Sequence, residues 1–245
     1  MSARTCMSTV VAGFLMLAGP VAAQDAEIEV EFGGSSTFVS DYSFRGISQT
    51  LEDPAVQAGI TGSAGPVYAG IWGSSLNFGE VDHENRAHAE VDVFGGVATS
   101  LGGVLDADLG VTYYAYPGTR DVFDYNFIEF ALALSRAISS ATLGAKVAYS
   151  PDYFAASGTG VYLVGSLGVD IPNTPLSLSA AVGHQSIDDN GAFGTPDYMD
   201  YSAGASLSVL GVSLGVTLVG TDIDDADCFG GSELCDSRVV FSLGL

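Results

Sequence analysis

The stretch Ala87-His88-Ala89-Glu90-Val91-Asp92-Val93 decides the fold class. In an extended chain Ala87, Ala89, Val91 and Val93 fall on one face and His88, Glu90 and Asp92 on the other, a separation with the period of two that belongs to a β-strand. Wound into a helix, the same residues would scatter around the axis. Outward along the sequence the alternation recurs. Leu105, Ala107, Leu109, Val111 and Tyr113 oppose Asp106, Asp108, Gly110, Thr112 and Tyr114; Ile128, Phe130, Leu132 and Leu134 oppose Glu129, Ala131, Ala133 and Ser135. Leu143, Ala145, Val147 and Tyr149 then oppose Gly144, Lys146, Ala148 and Ser150, and Val161 to Asp170 continue in the same way. Near the end, Val239, Phe241, Leu243 and Leu245 oppose Arg238, Val240, Ser242 and Gly244.

Twelve strands are predicted, over 28–48, 54–64, 67–78, 87–101, 105–117, 125–137, 141–153, 160–171, 176–187, 197–209, 212–222 and 237–245. Connections around Gly65-Pro66, Gly102-Gly103, Ile138-Ser139-Ser140, Pro172 to Pro175 and Leu210-Gly211 are tight. Those at 79–86, 118–124, 188–196 and 223–236 are longer and carry Asp, Glu, Asn and Gly. Short and long connections take turns, the pattern of a transmembrane β-barrel with tight turns on the periplasmic side and longer loops outside. An even count of strands places both termini at the periplasmic end. A soluble sandwich shares the alternation but gives no reason for two loop lengths to alternate. A sheet that spans hydrocarbon must close, because lipid offers no partner to an edge N–H.

Ahead of the strands, residues 1–23 read as a secretory signal: Arg4 starts it, Val10 to Ala18 form its apolar core, and Val21-Ala22-Ala23 is a small-residue cleavage site. Its apolar core is about half of the ~20 residues that a membrane helix needs. Cys6 lacks the small-residue frame of a lipoprotein site. The domain expected to remain, residues 24–245, is exported and bound for the bacterial outer membrane. The chain holds 7 basic and 29 acidic residues. Without Arg4 the balance is 6 against 29, a net −23, which excludes nucleic acid as a partner because phosphate binding needs clustered positive charge. Abundant Gly (32), Tyr (11) and Phe (13) suit turns and strands. Phe38, Tyr42, Phe44, Tyr113 and Tyr201 are expected in the aromatic belts of the two interfaces, although strands are rich in aromatics in any case. Cys228 and Cys235, seven residues apart in an Asp- and Gly-rich loop, should pair in an oxidising compartment; a zinc pair is disfavoured because no His lies nearby in sequence.

The run Ser40-Asp41-Tyr42-Ser43-Phe44-Arg45-Gly46-Ile47-Ser48-Gln49-Thr50, followed by Asp53-Pro54-Ala55-Val56-Gln57-Ala58-Gly59, resembles the opening signature of the TorF-type porin family. Val67-Tyr68-Ala69-Gly70-Ile71-Trp72, Val111 to Gly118 and Asp236 to Ser242 continue the likeness in order, across nearly all of residues 24–245. The resemblance implies an outer-membrane barrel acting as a porin, without a defined substrate or a cofactor. Its partners would be outer-membrane lipid, small solutes or cations, and the barrel assembly machinery. Chains of this kind end in an aromatic residue used in assembly, whereas this one ends in Leu245.

If the face assignment holds, the lumen receives Glu90, Asp92, Asp106, Asp108, Glu129, Asp152, Asp170 and Asp200 against Arg45, Lys146 and Arg238. That excess of acids favours cations by raising their local concentration; alternatively these charges pair with one another or solvate a narrow, plugged barrel. Arg45 ends the first predicted strand and faces inward among acids. Its five donors suit a clasp that holds several carboxylates and constricts the lumen. His184 and Ser186 form a His-x-Ser pair on the lipid-facing side, similar to the pairing of outer-membrane lipid A deacylases, with Asp188 as the acid that would orient the His. This is the enzyme reading, and a non-enzymatic barrel is preferred to it because no other motif supports catalysis. A structural or adhesive barrel without an open pore is a third reading. Asp222, Asp224, Asp225 and Asp227 lack the glycine and terminal glutamate of a calcium loop.

Overall fold

The computed structural model describes residues 29–79 and 87–245. The signal-peptide reading of 1–23, Cys6 included, lies outside the described residues, as does nearly all of the 79–86 connection. Among the described residues fourteen strands follow one another: β1 (Val30–Val39), β2 (Ser43–Phe44), β3 (Ile47–Ser48), β4 (Ala55–Ala64), β5 (Val67–Ser75), β6 (Ala89–Leu101) and β7 (Leu105–Ala115), then β8 (Phe127–Ile138), β9 (Ala141–Ser150), β10 (Gly160–Asp170), β11 (Leu176–Ile187), β12 (Tyr198–Val209), β13 (Val212–Thr221) and β14 (Arg238–Gly244). Twelve of them, β1 and β4 to β14, form one closed antiparallel barrel in which each strand pairs with its neighbours in sequence, while β2 and β3 make a separate hairpin. Closure runs through Thr37↔Gly244, Phe38↔Leu243 and Val39↔Ser242. The Leu245 N–H extends it by donating to the Ser36 carbonyl at 2.9 Å.

Alternation dictates the two faces as the sequence predicts. Val93, Leu109, Phe130, Leu132, Leu163, Val182, Leu214 and Phe241 are exposed on the outside, where a barrel in lipid carries its apolar band. Register is fixed because a slip of one residue would turn that band inward. Tight turns gather at one end of the barrel and the longer connections at the other.

The first strand departs from expectation. It ends at Val39, not at residue 48, and residues 40–50 turn into the lumen, whereas Leu51 to Pro54 are exposed. Two features bend the chain. Arg45 and Gly46 both take positive φ (49° and 83°), the conformation of a two-residue hairpin turn. The Asp41 carboxylate accepts from the Ser48 hydroxyl at 2.6 Å and from the Thr50 hydroxyl at 2.8 Å, tying the start of the segment to its end. Hydroxyl and carboxylate side chains compete in this way with the strand ladder. Tyr42 and Phe44 are therefore lumenal and not part of an interface belt: Tyr42 packs edge-on to Trp72 at 5.6 Å and Phe44 edge-on to Tyr114 at 6.0 Å. Phe38 and Tyr113 do face outward.

Consequently the two halves of the lumen differ. In the half beside the longer connections, all twelve barrel strands contribute an inward side chain exposed by no more than 9%, from Val39 and Gln57 through Ser74, Asp92, Tyr114, Glu129, Ser150, Tyr162, Gln185, Asp200 and Thr221 to Val240. Above them Leu76, Ala87, Tyr116, Phe127, Tyr153 and Ile187 form an apolar cluster joined by Phe78, Tyr125, Phe154 and Phe193. In the half beside the tight turns, inward residues such as Asp106, Ala131, Lys146, Ser166 and Ser179 keep partial access to solvent.

Candidate functional site in the lumen

Arg45 stands at the tip of the β2–β3 hairpin, where the turn aims it across the lumen. One guanidinium nitrogen, Nη2, donates to Glu129 Oε2 on β8, and Nη1 donates to Gln185 Oε1 on β11. Its carbon lies 4.1 Å from the Tyr162 ring centroid and 4.8 Å from that of Phe44, within the range of a cation–π contact. The expected clasp on several carboxylates is thus one carboxylate, one amide and aromatic faces. Arg238 fastens the other side of the segment. Its Nε donates to Asp41, and its Nη1 donates to the carbonyls of Gly46, Leu234 and Asp236 at 3.1, 3.1 and 3.0 Å. The inserted segment is therefore held by Arg45 at its tip and by Arg238, which reaches both its base at Asp41 and the Gly46 carbonyl of the turn.

Four carboxylates line this constricted level. Glu129 is paired with Arg45. Glu90 accepts from the Tyr42 hydroxyl at 3.1 Å, and Asp92 follows two residues later on the same inward face of β6, both buried. Asp200 accepts from the Tyr162 hydroxyl at 3.1 Å. Toward the tight turns, Asp106, Asp108 and Lys146 line an open recess, and Tyr68 donates to Asp108 at 2.9 Å. Asp170 stands exposed where β10 ends and accepts from Ser177 at 2.8 Å. Asp152 is not on the wall: β9 ends at Ser150, and Asp152 is exposed in the connection to β10, its carboxylate 3.3 Å from the Gly158 N–H. The sequence reading missed Gln185, Tyr162 and Tyr42 as contacts of these charges. Gln185 could have been found from its inward parity between His184 and Ser186.

The Cys228–Cys235 disulfide forms, and both cysteines pack against Ile47 of the hairpin, Tyr198 and Ile223. The loop they close lies over the inserted segment. Among the described residues no group of three or more His, Cys, Asp or Glu side chains is arranged to hold a metal.

His184 and Ser186 both face outward at the end of β11, but they do not form a catalytic relay. Ser186 donates to Asp197 Oδ2 at 2.9 Å, and Asp197 Oδ1 accepts the Ile187 N–H at 2.9 Å. Partial burial pushes the Asp197 carboxyl up, yet these hydrogen bonds, with one from Asn190 and the attraction of nearby His184, outweigh it and hold the group below its ordinary value. Asp188 turns away, toward the Thr159 N–H at 3.3 Å. The serine is thus tied to the acid, where a triad would tie it to the histidine.

A closed antiparallel barrel of twelve strands with an apolar exterior and a lumen that holds charged, polar and aromatic side chains is a porin-like β-barrel. The chain belongs to the Gcw_chp family, described as bacterial protein of unknown function, which matches residues 23–244. No curated protein matches it. Among solved structures it is similar to the NanC porin, with a TM-score of 0.57 and 10% identity over 86% of this chain and 98% of that one. Weaker likenesses extend to the outer membrane channel DcaP of Acinetobacter baumannii (TM-score 0.45, 10% identity, 92% and 99% covered) and to OprD of Pseudomonas aeruginosa (0.43, 11%, 88% and 65%). At such identities the likeness to NanC speaks for the barrel fold.

Proposed function

We propose that this chain is an outer-membrane porin that forms a narrow, cation-preferring channel for small solutes, with tight turns in the periplasm and the longer loops outside. The observation that carries the reading is the charge at the constricted level: Glu90, Asp92, Glu129 and Asp200 face the lumen there against Arg45. A net negative wall in a narrow passage raises the local concentration of cations and lowers that of anions. Residues 1–23, read from the sequence as a secretory signal, and the resemblance of the stretch around Arg45 to the TorF-type porins support this reading. In planar bilayers under a potassium chloride gradient, the purified protein is expected to give conductance steps whose reversal potential lies toward the potassium value. A reversal potential on the chloride side would overturn the preference.

The filled cross-section favours a second reading, a barrel that is closed as folded. It predicts an absence of steps under conditions where a control porin conducts, and their appearance once the hairpin is released.

A further inference from the structure

The recess on the tight-turn side is built differently from the constriction. It is open to solvent and is lined by Tyr68, Phe94, Asp106, Asp108, Ser135 and Lys146 among others. Its charges stand in register. Asp108 on β7 lies opposite Ala133 on β8, and Ala133 lies opposite Lys146 on β9, so the acid and the base flank a methyl group across roughly 10 Å, two strand spacings. A larger residue at 133 would fill that gap. Among the described residues no ion pair joins Asp108 to Lys146, and the ammonium meets no protein acceptor within hydrogen-bonding distance. Asp108 Oδ1 is taken by Tyr68, whereas Oδ2 is buried without a partner. Tyr68 keeps this position because Gly110 faces it: a Cβ there would lie 2.9 Å from the Tyr68 hydroxyl. Beside the charges, the Tyr68 and Phe94 rings stand 6.4 Å apart and offer an apolar flank.

We infer that this recess is a binding site for a small zwitterion of the amino-acid type, its ammonium group on Asp108 and its carboxylate on Lys146. A bare cation leaves the Lys146 ammonium without a hydrogen-bonding acceptor, and a bare anion meets Asp106 and Asp108. Only a solute carrying both signs a few ångströms apart satisfies the row across Ala133, and opposite charges that already face one site desolvate together at lower cost than either alone. The inference rests on the channel reading for its purpose, since it names the class of solute that the lumen admits.

The test uses the full chain folded in detergent micelles, probed separately with L-serine, ethylammonium and acetate by saturation-transfer NMR. L-serine is expected to bind at least about tenfold more tightly than either single-charge probe, and Asp108→Asn or Lys146→Met each to weaken it about tenfold. Equal responses from the three probes on the unaltered protein overturn the site whatever the variants do. Serine binding that survives Lys146→Met reduces it to a cation site and overturns the zwitterion. Conductance recorded in parallel separates the two readings. Steps without saturation transfer overturn the recess alone, and transfer without steps overturns the channel alone.

Discussion

Arg45 ties the inserted hairpin to two strands across the lumen. It is 8% exposed, and its partner Glu129 is 3% exposed. Removing one member of such a pair strands the other as an uncompensated buried charge, which costs about 3 kcal/mol or more, whereas replacing both by apolar groups of similar volume is close to neutral. Arg45→Met is therefore expected to lower the urea midpoint of barrel unfolding, read by the shift of folded and unfolded bands on a gel. Arg45→Met with Glu129→Leu is expected to restore most of the loss. If the double variant falls by the sum of the two single effects, the pair is not coupled and the clasp is only local packing. At this scale the sequence was legible for charge and direction. Arg45 could be read as inward and acid-facing, but its partners come from strands 84 and 140 residues away, and no local pattern carries that pairing.

Among the elements, the twelve barrel strands were legible because one face of each must be apolar and the period of two leaves a trace in every one of them. The inserted segment was not. Phe38 and Phe44 keep the parity of a strand to within one turn of Arg45, and the chain reverses through tertiary ties: Asp41 to Ser48 and Thr50, and Arg238 to Asp41. Asp152 failed for a related reason, since a strand drawn too long at its end turned a loop acid into a wall acid. The disulfide loop makes the segment testable as an element. Cys228 and Cys235 are seven apart, and closing so short a loop stabilises by about 2 kcal/mol in the chain-entropy account. Because both cysteines pack on Ile47 and Tyr198, that loss should fall on the lid and not on the barrel. In Cys228→Ser/Cys235→Ser the far-ultraviolet circular dichroism should stay unchanged while limited proteolysis cuts within 222–237. Conductance should rise as the hairpin loosens; unchanged conductance together with cleavage would show that the lid does not hold the segment.

Taken as a whole, the molecule is a barrel with two unlike interiors and one sign of charge. Distance and salt set how far that charge reaches. At 0.1 M salt a charge is felt over about 10 Å, and at 1 M over about 3 Å. In an open channel, an ion that passes the level of Glu90, Asp92, Glu129 and Asp200 comes within contact distance of the wall, so selectivity produced there should persist at high salt. Selectivity produced by the exposed acids of the loops, among them Asp222, Asp224 and Asp225, should vanish. Glu90→Gln/Asp92→Asn separates the two sources. Both side chains keep their shape, and the amide oxygen that replaces the Glu90 carboxylate can still accept from the Tyr42 hydroxyl, so the barrel should fold as before. The reversal potential of the variant in a gradient of about 1 M against about 0.1 M salt is expected to move toward zero, with the potassium-over-chloride ratio falling by about twofold or more. If the shift appears only in dilute salt, the preference lies in the loops. If neither condition moves the potential while steps persist, the ions pass without meeting the Glu90–Asp92 wall, and the constriction cannot be the selective element.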